Sequence, residues 1–409
     1  MFDKSNNTEI KKGMYLYILL LISIIILPKF MYYLYIPALP VIAGHFHVSR
    51  SLSVSSLTFA MVGVGLSILI YGPLSDSFGR KKIMIIGIVI LIIGFLVTIL
   101  SSTPFQFLLS RLIQGLGAGS IAVVLKLMMK DHFDSADLGW AASTFIMFVS
   151  LLPAIAPFIG GIILTVLPWK IIFLILLIYA IFVLFVIVFR VEETLEKSKR
   201  TTFSIKMLFK AYLQLFKHKD YLIVVGAMVL SFSCLGIYLT GLSFLYQLEY
   251  GYSSAQFGAI IIIPTLFFAV GCYIAAKLST NSKKYYPIIK GSIIILVSGI
   301  ILCLLHPLNI ETALTTLIMI SIIGFAVGFT YSNSFAGMLK RVPAEAKGAG
   351  VAFANAMQLV FSGIIIYLFS FFHFSSTVPF GAVFIIISII IILLMLYLFK
   401  ITPKKAVGE

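Results

Sequence analysis

A charged side chain inside an apolar run is costly and persists only against a partner, a cavity or a ligand. Lys29 lies near the middle of the first apolar run. Arg111 sits within a later one, with Gln114 less than one turn away on nearly the same face. A search for carboxylates in such positions finds none: Asp76, Asp131, Glu249, Glu311 and Glu345 fall at the ends of runs or between them. Tyr238, Tyr331, Asn333, Asn355 and Gln358 are the further polar side chains within runs, suited either to hydrogen bonds between packed helices or to a ligand. No phosphate-cradling glycine loop, nucleophile elbow or HExxH pair occurs, and Cys234, Cys272 and Cys303 lie in apolar runs without metal-ligand spacing. These residues predict no metal, no cofactor and no catalytic centre. They also exclude a membrane-embedded enzyme or an ATP-driven pump, so any work done must draw on an ion or substrate gradient.

The elements that position these residues follow from composition. The chain has 409 residues, 61% hydrophobic and 11% charged, where a soluble domain is about a quarter charged. Twelve spans of about 21 residues would need roughly 250 apolar-rich positions, which this chain supplies. Apolar runs punctuated by charge, proline and glycine predict helices at 14–43, 54–71, 83–101, 104–128, 139–163 and 170–190. In the second half they fall at 222–246, 256–277, 287–305, 312–337, 348–372 and 379–400. The polar opening followed by a long apolar run predicts a retained first span rather than a cleaved signal. The longest polar interruption, 191–221, divides an N-terminal six-helix unit (1–190) from a C-terminal one (222–409). Together these predict an all-α membrane protein.

The net charge of +16 is not spread as a nucleic-acid-binding face; the cations cluster between runs. With the N-terminus in the cytoplasm, 26 of the 30 Lys and Arg residues fall on the cytoplasmic side, helix ends included. Among them are Lys4, Lys11, Lys12, the Arg80–Lys82 cluster, Lys126, Lys283, Lys284, Lys347, Lys404 and Lys405. Arg50, Lys170, Lys29 and Arg111 are the remainder. Both termini and the 191–221 loop are therefore expected in the cytoplasm.

Between the second and third runs stands Gly72-Pro73-Leu74-Ser75-Asp76-Ser77-Phe78-Gly79-Arg80-Lys81-Lys82. Glycines bracketing an acid permit a tight turn between helix ends, and the acid can sit against a helix N-terminus. This segment resembles the signature loop of the major facilitator superfamily. Tyr35-Ile36-Pro37-Ala38-Leu39-Pro40, the Arg111–Gly119 segment, Lys130-Asp131-His132-Phe133, Pro153–Gly161 and Trp169-Lys170 extend the likeness to the Bcr/CflA branch of drug:proton antiporters. In the second half it rests on Asn333 and on Ala349-Gly350.

The resemblance implies the major facilitator fold, two six-helix bundles that rock about a central site, and a monomer of the bacterial inner membrane exporting small molecules against protons. It implies a substrate and proton pathway through Arg111 and Gln114, to which Lys29, Tyr33, Asn333 and Asn355 are added as candidates. Gly72, Asp76, Gly79, Arg80 and Lys81, with Asp131 as a partner for Arg80, would form a conformational latch. Pro153, Pro157, Gly160 and Gly161 would bend a span so that it seals one bundle against the other. The chain departs from the family where an acid is usual in the first span, four residues before Pro37: here that residue is Tyr33. Ser77 also replaces a usual arginine. Two cations and no acid in the presumed cavity motivate a second reading, in which the cargo is an anionic metabolite such as a polycarboxylate siderophore. Desolvation and a nearby second cation disfavour the charged form of Lys29, and an anionic substrate would restore it. Cargo binding would then be coupled to proton uptake.

Overall fold

The computed structural model describes residues 4–278, 286–343, 346–372 and 374–401. Lys283, Lys284, Glu345, Lys404 and Lys405 lie outside them, as do the side chains of Lys4, Lys11, Lys12 and Lys347. Among the described residues there is no strand, and twelve helical spans are long and apolar enough to cross a membrane.

The first half contains α1 (Lys4–Tyr33), α2 (Leu39–His45), α3 (Arg50–Phe78), α4 (Arg80–Leu100), α5 (Pro104–His132), α6 (Ser135–Val166) and α7 (Lys170–Arg190). The first span is one run in sequence but bends in space. Pro37 and Pro40 lack the N–H groups that a continuous helix would use, so α1 stops at Tyr33 and a 3-10 turn over Ile36–Ala38 leads into α2. Capping fixes other boundaries: Ser49 starts α3, and Thr103 with Gln106 forms a reciprocal capping pair before Pro104.

The interruption 191–221, expected as a loop between the two units, holds an amphipathic helix, α8 (Ile205–Leu215), started by the Ser204 cap. The second half contains α9 (Lys219–Phe244), continued by a π turn over Leu245–Glu249, then α10 (Ser254–Ile260), α11 (Ile262–Leu278) and α12 (Tyr286–Leu305). It closes with α13 (Ala313–Leu339), α14 (Lys347–Phe369) and α15 (Val378–Ile401). Helices α3, α4, α5 and α7 pack together with α1 and α6, while α9 and α11 to α15 form the second bundle. Across the divide, α3 packs on α14 and α6 on α10 and α11.

The turn at Gly79 marks one end of the molecule, called here the loop end, where α3, α5 and α7 finish and α8 lies. At the opposite, far end the two halves lock together. Helices α6 and α10 approach backbone to backbone: a Cβ on Gly161 would lie 3.0 Å from both Ala255 Cα and the Ser254 carbonyl carbon, and one on Gly258 2.6 Å from the Pro157 carbonyl oxygen. Gln247 Nε2 donates to the Pro37 carbonyl at 3.0 Å, and Arg50 pairs with Glu249 at 3.2 Å. Nearer the middle, Thr58 Oγ1 donates to the Gly363 carbonyl at 2.8 Å.

Candidate functional site

A cavity of about 410 Å³ lies between the halves, extending from mid-span towards the loop end as far as Leu127 and Gly348. That is the size of a drug-like ligand site. Its wall is mostly apolar, from α3, α5, α9 and α14. Polar groups enter at Lys29, Tyr32 and Tyr33 of α1, Lys126 of α5, Tyr331 of α13, and Asn355 and Gln358 of α14. Tyr331 donates to Gln358 Oε1 at 3.2 Å, and Asn355 donates to the Val351 carbonyl of its own helix at 2.9 Å. No carboxylate lines the cavity among the described residues.

Lys29 and Tyr33 therefore face the cavity together, as their i, i+4 spacing suggests. Lys126 does so as well, which corrects its assignment to the cytoplasmic edge. The apolar run ended at 128, but α5 continues to His132, so Lys126 sits about 9 Å inside the helix end.

Arg111 and Gln114 do not line the cavity. Arg111 is fully buried behind α1, where Nη2 donates to the Met31 carbonyl at 2.9 Å and Nη1 donates to Gln114 Oε1. Its guanidinium stacks 4.3 Å from the Tyr35 ring centroid and 5.5 Å from that of Phe173. Gln114 Nε2 passes the connection on to the Gly94 carbonyl at 3.2 Å and to Thr98. Met31 lies two residues from Lys29, about 200° around the helix, so one face of α1 meets Arg111 while the other meets the cavity. Here the arginine ties α1, α4, α5 and α7 into one body. Asn333 is also off the cavity wall, donating to the Phe329 carbonyl at 2.8 Å.

At the loop end, Arg80 is the hub. Its guanidinium pairs with Asp76, donates to Ser75 Oγ at 2.7 Å and donates through Nε to Asp131 Oδ2 at 3.1 Å, the partner suggested by sequence. Glu193, which sequence reasoning missed, accepts from the Arg80 backbone N–H at 2.9 Å and lies near Arg200. Gly79 turns the chain at φ +100°, a conformation open to glycine, and a Cβ there would collide with Glu193. Lys81 Nζ donates to the Val188 carbonyl at 2.8 Å. Gly72 precedes this cluster in α3, and Ser77 donates only to the Pro73 carbonyl, at 3.1 Å.

Helix α8 links both halves at this end. Tyr212 donates to the Leu69 carbonyl of α3 at 2.7 Å, and its ring lies 6.0 Å from that of Phe353 on α14. Burial pushes the Tyr212 phenol up to about 12, so it remains a donor at neutral pH.

In the predicted seal, Gly160 packs against the Leu34 carbonyl of its own half, whereas Pro157 and Gly161 meet Gly258 and Ser254 across the divide. Pro153 lies in the same helix, part-buried.

Comparison with known proteins agrees with this architecture. The sequence pattern of the Major Facilitator Superfamily matches residues 21–366. The bicyclomycin resistance protein homolog of Haemophilus influenzae is 29% identical over 261 residues, 63% of this chain and 66% of that protein. Multidrug resistance protein D of Escherichia coli is 24% identical over 356 residues, 85% of this chain and 86% of that protein. The crystal structure of a D-xylose-proton symporter superposes with a TM-score of 0.69 at 16% identity, covering 97% of this chain and all of that one. A family match over most of the chain, twelve spans in two bundles and a central cavity lead to one conclusion: this chain is a transporter, not an enzyme, and belongs to the Major Facilitator Superfamily, with its likeness in the Bcr/CflA branch.

Proposed function

We propose that the protein is a secondary active exporter, carrying small organic molecules across the bacterial inner membrane by alternating access and driven by protons. The observation that carries this reading is the cavity between the two halves, reaching towards one end while helix contacts lock the other. With the loop end in the cytoplasm, a placement the cation distribution supports, this is the inward-facing member of the cycle. The units 1–190 and 222–409 are then the rocking bodies, with the 191–221 segment as a cytoplasmic tether. The Asp76–Arg80–Asp131 cluster sets how often the loop end closes. The relatives named for drug and bicyclomycin resistance support export of this kind. One chain supplies the whole cavity, so a monomer suffices.

Lys29 and Lys126 are the cations of the cavity, and no carboxylate in its described lining is available to carry the proton. The other titratable groups around the same cavity are Tyr32, Tyr33 and Tyr331. The test is flux in inside-out membrane vesicles with anionic, neutral and cationic fluorescent compounds. Protein-dependent accumulation that collapses when the pH gradient is dissipated is the expected result. Flux indifferent to the gradient overturns proton coupling, and no protein-dependent flux of any compound overturns export.

A further inference from the structure

We infer that the cavity is an anion site: Lys29 and Lys126 form a two-point clamp for the acidic group or groups of an amphipathic organic acid. The apolar and tyrosine-lined remainder holds the body of that molecule. The inference deepens the export reading above and rests on it for the meaning of the cavity.

The argument begins with what cations inside an apolar body require. Each must be satisfied by a partner, or held for something that is not part of the chain. Two other cations of the first half have protein partners, although Arg111 Nε is left without one. Arg111 is taken up by the Met31 carbonyl, Gln114 and the Tyr35 ring, and Lys170 Nζ donates to the carbonyls of Ile99 and Ser101 at 3.0 and 2.8 Å. Lys29 and Lys126 differ. Neither has a hydrogen-bond acceptor or a carboxylate partner among the described residues, and both line the same cavity from neighbouring helices α1 and α5.

A pair of like charges facing one space is self-repulsive, and an apolar wall screens them poorly. No carboxylate in the described lining offsets them, so a cation entering the cavity meets two like charges and no opposite one. An anion relieves both the desolvation of the ammonium groups and their mutual repulsion. Lysine suits this role, since its rotating ammonium donates to carboxylate groups at varied angles, without the fixed fork of arginine.

The two halves differ in what they offer a ligand. Both cations belong to the first half. The second half presents Tyr331, Asn355 and Gln358 among apolar side chains, suited to an uncharged body with a few hydrogen-bonding groups. The volume of about 410 Å³ suits a small organic molecule.

The test is binding to the purified full chain of three shape-matched probes: naphthalene-2,6-dicarboxylate, naphthalene-2-carboxylate and the neutral methyl ester of the latter. Wild type should bind the dicarboxylate more tightly than the monocarboxylate, and the ester least. Lys29→Gln and Lys126→Gln should each weaken dicarboxylate binding about tenfold or more and leave the ester unchanged. Lys29→Arg and Lys126→Arg should retain the anion preference, which separates loss of charge from loss of fold. Absence of a lysine-dependent preference for the anion overturns the inference. The export reading is judged separately in vesicles: gradient-driven flux of neutral or cationic compounds without that preference leaves export standing and the anion site refuted. Lysine-dependent binding without protein-dependent flux of any compound does the reverse.

Discussion

Replacing Gly161 by alanine would put a methyl group into the contact between α6 and α10. Its Cβ would fall 3.0 Å from Ala255 Cα and from the Ser254 carbonyl carbon, closer than carbon atoms pack, and both neighbours are backbone atoms that no rotamer change can move. Overpacking of this kind costs about 1–3 kcal/mol, and the cost falls only on the conformation in which the far end is closed. The ratio of far-end-closed to far-end-open molecules should therefore drop about 5- to 150-fold. Hydrogen exchange of the detergent-solubilised protein reads this directly. Segments 37–50 and 247–258 should exchange faster by a comparable factor, while segments at the loop end become more protected. Gly258→Ala, with its Cβ 2.6 Å from the Pro157 carbonyl oxygen, should act in the same direction. Gly139→Ala on the same helix as Gly161 is the control, because nothing lies within 4 Å of that position. The reasoning is refuted if a folded Gly161→Ala protein exchanges as wild type does at the far end, or if Gly139→Ala reproduces its effect.

Asp76→Asn removes the carboxylate that holds Arg80 from within its own turn. A change of about 0.3–2 kcal/mol should slow turnover severalfold and leave binding affinity nearly intact, so an affinity collapse with an unchanged conformational ratio would refute the latch. Arg111→Lys gives up the simultaneous contact with the Met31 carbonyl and Gln114 in a fully buried site. It should cost about 2–3 kcal/mol and lower the Tm without altering affinity; an unchanged Tm with lost binding would return Arg111 to the substrate pathway. Reporter fusions after Lys405 and within 191–221 should both behave as cytoplasmic, and a periplasmic signal from either would break the orientation derived from the cations.

The spans were legible because the bilayer imposes a run length, and each run of adequate length became a helix crossing. The bend after Tyr33 was not legible in the run 14–43, which reads as one helix, although Pro37 and Pro40 lack N–H groups that a continuous helix would use. Nor was helix α8. Lys206 and Lys210 interrupt Ile205, Met207 and Phe209 so closely that its 11 residues read as a polar loop, and only the Ser204 cap signals a helix start. Arg111 shows the limit more sharply. Its cost was evident from sequence, but its chief partner is the Met31 carbonyl, a backbone group that carries no residue-specific signal. Lys126 was misplaced because rotational position on a helix can be computed from spacing, whereas depth depends on where the helix stops. Glu193 joined the loop-end cluster only through the path of the chain after α7.

The far-end contact between α6 and α10 bears on what must not pass. Where Gly161 and Gly258 bring two backbones together, no side chain stands between them whose rotation could admit a file of water. A cell that stores energy as a proton gradient loses it through any continuous water wire, even one molecule wide. A seal made from main chain has few alternative conformations in which it fails partially; it is shut, or the two bodies have separated. In the proposed cycle those glycines would bear on the leak rate of the resting carrier as much as on transport, and a leaky protein would burden its host with no cargo present at all.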